Sequence, residues 1–182
     1  MSLLLMFGGV AHAQPQPAVV AACAACHGAG GISRIPGIPS LAAQPKVFIE
    51  NQLVLIREGL REVPVMKDVM AGMKDEDIVA LAKHFAALPA GSNAEAARPD
   101  TERLGDQTAR KMLCGTCHLP DYAGQQQVPR LAGQDETYLL QAMKQFRDNP
   151  GPGRDTIMSA SLYGLSDADL ANLAHHLSHF KR

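Results

Sequence analysis

The sequence has no tryptophan, and only five phenylalanines and three tyrosines in 182 residues. No run shows the period-2 alternation of a half-buried strand, which argues against a β architecture. No apolar stretch is long enough to cross a bilayer as a helix. Neither charge sign is in excess, since 17 Lys and Arg stand against 18 Asp and Glu. The balance holds locally, with seven of each sign from Gln14 to Ala90 and nine of each from Thr101 to Arg182. Nucleic-acid binders gather basic residues on one face; nothing of the kind is present, so nucleic acid is set aside as a partner. What remains, 46% hydrophobic and 19% charged residues, is the balance of a globular chain and excludes disorder, collagen-like sequence and a heptad coiled coil.

The N-terminal residues read as an export signal. Ser2 to Val10 is mostly apolar, and Ala11-His12-Ala13 offers a small-x-small cleavage site before Gln14. No Lys or Arg precedes the apolar stretch, which leaves the true translation start open. Residues 1–13 are assigned to a signal peptide and the mature chain to the periplasm, with no transmembrane segment and with peripheral membrane association left open.

All four cysteines fall in two copies of one pattern, Cys23-Ala24-Ala25-Cys26-His27 and Cys114-Gly115-Thr116-Cys117-His118. C-x-x-C-H is the attachment signature of a c-type haem. Thiols at i and i+3 lie on one face of a helical turn, where both reach the vinyl groups on one porphyrin edge. The next residue then projects its imidazole toward the iron. Cys23, Cys26, Cys114 and Cys117 are therefore expected to hold two haems c covalently, with His27 and His118 as axial ligands. Structural zinc would want its second ligand pair close by, and a thioredoxin-like motif would need a βαβ pattern. A disulfide staple is the remaining alternative for an exported chain.

An internal repeat organises the rest. Ile38-Pro39-Ser40-Leu41-Ala42-Ala43-Gln44 follows the first motif as Val128-Pro129-Arg130-Leu131-Ala132-Gly133-Gln134 follows the second. Phe48, Leu53 and Ile56 correspond to Tyr138, Met143 and Phe146 at helical spacing. Ile78, Leu81, Ala82 and Phe85 then match Leu170, Leu173, Ala174 and Leu177 in a closing helix, and Ser166 to Asp169 reads as a capping-box start. Helices are also expected ahead of each motif, near Ala18–Cys23 and from about Thr101 to Cys114. The reading is an all-α tandem: an N-terminal domain at 14–88, a linker at 89–100 and a C-terminal domain at 101–182. Domains of roughly 80 residues bury marginal cores, and a large apolar cofactor would complete them.

A haem iron with one histidine still needs a sixth ligand or an open site. With the closing helices in register, Met66 falls on Met158, each in an apparent loop before the last helix. Met158 is the only methionine between the middle helix and the C-terminus. Met66 and Met158 are therefore the expected sixth ligands; in the first domain Met70 and Met73 compete with Met66, and Met70 remains the main alternative. Met143 is expected in the core. His84 and His176 also correspond; both read as solvated helix surface, and His179 as a fraying terminus.

These residues resemble the di-haem class I cytochromes c, cytochrome c4 type, over nearly the whole mature chain. The resemblance rests on both C-x-x-C-H motifs, the Pro-x-Leu-Ala-x-Gln segments, Arg57-Glu58-Gly59-Leu60-Arg61 and the two methionines. It implies two class I cytochrome c domains, each wrapped round one covalent haem, in an exported electron carrier without chemistry of its own. It also implies that the carbonyls of Pro39 and Pro129 accept the second ring N–H of His27 and His118, and that Gln44, Gln134, Arg57 and Arg147 sit near the haem pockets. The implied partners are redox proteins: a respiratory donor, and a terminal oxidase or reductase. An alternative is the di-haem subunit of a dehydrogenase complex such as a flavocytochrome sulfide dehydrogenase; a di-haem peroxidase, which needs an openable haem site, is more remote.

Overall fold

The computed structural model describes residues 18–92 and 96–181; the expected signal peptide lies outside them. Among the described residues there are nine helices and no strand, only an isolated bridge between Gln125 and Val128. They run α1 Ala18–His27, α2 Lys46–Arg57, α3 Pro64–Met70, α4 Asp75–Ala86, α5 Pro99–Lys111, α6 Cys114–His118, α7 Glu136–Asp148, α8 Thr156–Leu162 and α9 Asp167–His179. No helix among them is long and apolar enough to cross a membrane.

The repeat is visible as structure. Each half has its own apolar core. In the first, Ile78, Leu81, Ala82 and Phe85 of α4 pack with Val20, Ile49 and Met70; in the second, Leu170, Leu173, Ala174 and Leu177 of α9 pack with Ala109, Leu139, Met143 and Leu162. The four matched apolar positions of the closing helices are therefore the centres of the two cores. At the start of α9, Asp169 N–H donates to the Ser166 hydroxyl and Asp169 Oδ2 accepts Ser166 N–H, the reciprocal cap expected from the sequence.

Two helix boundaries differ from expectation. The first motif is not preceded by its helix but lies within it, as α1 runs on to His27. In the second half Leu113 takes a left-handed conformation, φ 56°, and ends the long helix before Cys114. The second motif is a separate turn, α6. At the crossing of α5 and α9 the backbones come so close that a Cβ on Gly105 would lie 2.2 Å from the Asn172 carbonyl oxygen, so only glycine fits there.

Candidate haem-binding sites

Each proximal site is one helix and the loop after it. Cys23, Cys26 and His27 project from α1, and Cys114, Cys117 and His118 from α6, with all four thiols free. His27 and His118 are buried. His27 Nδ1 lies 2.7 Å from the Pro39 carbonyl oxygen and His118 Nδ1 2.9 Å from that of Pro129. A carbonyl only accepts, so Nδ1 carries the proton and Nε2 keeps its lone pair for an iron. Burial pulls both imidazoles below the usual histidine range, against the smaller opposing effect of the carbonyl bond. A neutral ring is the ligating form. Burial also pushes the Cys23 and Cys114 thiols up, while Cys26 and Cys117 lie exposed. Unpaired thiols on one helical turn beside a histidine with a bare Nε2 are the donor set of a c-type haem, and the residues fit the group.

The loops that present the prolines share one hydrogen-bond pattern. Leu41 and Ala42 donate their N–H groups to the Gly31 carbonyl, as Leu131 and Ala132 donate to that of Tyr122. Ala43 N–H then reaches the Phe85 carbonyl on α4 and Gly133 N–H that of Leu177 on α9. Each proximal loop is thus pinned to its closing helix.

On the distal side the methionines stand on short helices rather than in loops. Pro64 opens α3 in its first turn, its fixed φ suited to that place. Asp155 caps α8 by accepting Met158 N–H at 2.9 Å. Met66 and Met158 are each the third residue of their helix, and both are half-buried against the domain core. Met70 occupies the slot that Leu162 fills in the other domain, each about 2% exposed. Met73 corresponds in the same way to Leu165.

Arg57 Nη1 donates to the Met73 carbonyl and to Asp75, and Arg147 donates to the Leu165 carbonyl and to Asp167. Each arginine ties the middle helix to the segment between the methionine-bearing helix and the last one. Gln44 and Gln134 reach across the domain boundary. Gln44 pairs with the main chain of Arg130, and Gln134 with that of Ser40. Sequence reasoning did not find this crossing, nor Asp135, whose side chain caps α7 and also accepts Gly37 N–H of the other domain at 2.8 Å.

The α9 histidines correct the surface reading. His175, His176 and His179 are 1, 3 and 8% exposed, because α5 crosses one side of α9 and α7 packs on another. His176 Nδ1 pairs with Glu102 at 2.7 Å, and His175 lies between Glu136 and the backbone N–H of Arg98. His84 is half-buried, edge-on to Phe85. Carboxylates in the first turns of α5 and α7 were the available signal that these histidines have partners. Glu136, His175 and His179 come near enough together to suit a metal ion, but both His175 nitrogens already have protein partners.

Fold and site define a tandem of two class I cytochrome c domains, each holding one c-type haem. A family model described as "Cytochrome c" matches residues 103–181, and one described as "Cytochrome C oxidase, cbb3-type, subunit III" matches residues 10–84. Cytochrome c4 of Pseudomonas aeruginosa is 31% identical over 192 aligned positions, covering 97% of this chain and 96% of that one. A thiosulfate dehydrogenase electron acceptor from Thiomonas intermedia is 31% identical, over 89% of this chain and 80% of its own. The crystal structure of reduced recombinant cytochrome c4 from Pseudomonas stutzeri superposes with a TM-score of 0.83 at 27% identity, covering 89% of this chain and 95% of that one. The chain belongs to the cytochrome c4 family of di-haem electron carriers.

Proposed function

We propose that this protein is a periplasmic shuttle that takes electrons from respiratory donors to a terminal oxidase or reductase, with both irons closed by His and Met. The pairs are His27 with Met66 and His118 with Met158, in domains divided at 14–88, 89–100 and 101–182. One observation carries the ligand choice: Met70 sits in the core slot of Leu162, while Met66 and Met158 share the position left over at the edge of each core. A haem ligated by His and Met supplies a high-potential, one-electron centre that reorganises little on reduction.

The chain does the positioning. The Pro39 and Pro129 carbonyls orient the imidazoles, the core fixes the depth of α3 and α8, and Arg57 and Arg147 hold the segments that follow them. An optical redox titration of the exported protein, with carbon monoxide and peroxide added afterwards, tests the reading. The expected result is two low-spin haems with the weak ferric charge-transfer band of Met ligation and no response to either reagent. A high-spin haem, or ready carbon monoxide binding, would remove Met66 or Met158 from the ligand set and favour a peroxidase.

A second reading is favoured by the likeness to the thiosulfate dehydrogenase electron acceptor: this chain is the electron-accepting subunit held in a dehydrogenase complex. Co-purification from the native membrane and periplasmic fractions separates the two, since a larger catalytic subunit retained through size exclusion supports the second.

A further inference from the structure

The two haem ligands are oriented by peptide groups, and each of those peptides is also held from the other domain. The Pro39 carbonyl that accepts from His27 belongs to the same peptide unit as Ser40 N–H, which donates to Gln134 Oε1 at 2.7 Å. The Pro129 carbonyl that accepts from His118 shares its peptide with Arg130 N–H, which donates to Gln44 Oε1 at 3.0 Å. Each glutamine closes a second bond on the same residue, Nε2 donating to the carbonyl of Ser40 or Arg130, 2.9 Å in both cases. Both amides are about 95% buried, so water does not compete for these bonds.

We propose that Gln44 and Gln134 are positioning residues that act crosswise: each sets the proximal ligand of the haem in the opposite domain, through one peptide group. The inference rests on His27 and His118 being the proximal ligands. Two effects run in the same direction. The clamp fixes the plane of the peptide and hence the direction from which its carbonyl meets Nδ1. An acceptor on the N–H also polarises the peptide, making its oxygen a better acceptor. A better acceptor at Nδ1–H makes the imidazole a more basic ligand, and a more electron-rich ligand favours the ferric iron. Removing a clamp should therefore raise the potential of the other domain's haem.

Asp135, beside Gln134, also takes Gly37 N–H and so holds the first domain's loop a second time. Its counterpart after Gln44 is Pro45, which has no side-chain acceptor. Loss of Gln134 thus leaves the Asp135 bond on the first domain's loop in place.

The experiment uses the full di-haem protein with Gln44→Leu and Gln134→Leu, and reads both midpoint potentials, assigned to domains by the hyperfine-shifted haem methyl signals. Exchange of the two Nδ1 protons is followed in the ferrous form. The expected result for Gln44→Leu is an upward shift of the C-terminal haem and about tenfold faster exchange at His118, with a smaller shift of the N-terminal haem. Gln134→Leu should give the reverse pattern. If a Leu variant does not mature, Gln→Met keeps the length without the polar atoms and carries the same expectation. Equal shifts of both haems, a larger shift in the glutamine's own domain, or no shift in either would overturn the proposal. The ligand reading is checked separately in the wild-type protein: ligand imidazole signals from any other histidine would sink that reading, whereas ligand signals from His27 and His118 without the crosswise pattern sink only this proposal.

Discussion

Ala43 and Gly133 stand at the same place in the repeat and both adopt positive φ, 56° and 74°. The left-handed region costs a non-glycine residue about 1 kcal/mol, so Ala43→Gly should be neutral to mildly stabilising despite the added freedom of the unfolded chain. Gly133→Ala is a different matter, because the new Cβ would lie 2.6 Å from the Gly91 carbonyl oxygen. A loss of about 2 kcal/mol is expected in urea unfolding. The methionines separate just as sharply. Met66→Ala should leave most of the stability intact but open the N-terminal haem to carbon monoxide. Met70→Ala should keep the ligation and cost about 2–5 kcal/mol, as buried large-to-small changes do. The cysteines and His27 and His118 were legible in the sequence because thioether chemistry dictates their spacing. The methionines were less legible: the repeat register favours Met66, but one residue type serves as ligand and as filler, and the core position of Met70 shows only in the fold.

At the scale of elements, helical periodicity found α2, α4, α7 and α9 and the apolar faces they bury. It misread the polar side of α9, where burial is decided by what α5 and α7 bring to it. Glu136 shows the energetic side of that packing. Burial alone would raise its carboxyl, yet the bonds from His175 and Arg98 outweigh it and hold the group below its ordinary value of 4.5. A depressed carboxyl stabilises the fold above its unfolded value, and that stabilisation is lost as pH falls through the folded one. Glu136→Gln should therefore lower the unfolding midpoint at pH 7 by the equivalent of about 1 kcal/mol, and the gap to wild type should close as the pH falls below 4.5. A gap independent of pH would mean that Glu136 contributes by shape alone. The caps follow the same logic locally: Asp155→Ala removes the acceptor for Met158 N–H and should cost about 1 kcal/mol, read as earlier thermal loss of the Met charge-transfer band.

Over the whole molecule, the repeat was legible because two domains of one plan leave two copies of one pattern. Their mutual arrangement was not, since Gln44 and Gln134 look in the sequence like two more members of the repeated segment. Nothing local says that an amide bonds to the other copy instead of its own. The pairing is reciprocal, Gln44 to Arg130 and Gln134 to Ser40. That is the signature of an isologous contact, the kind made by two identical subunits about a twofold axis. Here both partners lie on one polypeptide, so their association is unimolecular. A short tether holds its ends at an effective concentration in the millimolar range. The two redox centres consequently stay paired at any dilution, and a partner that finds one of them has found both.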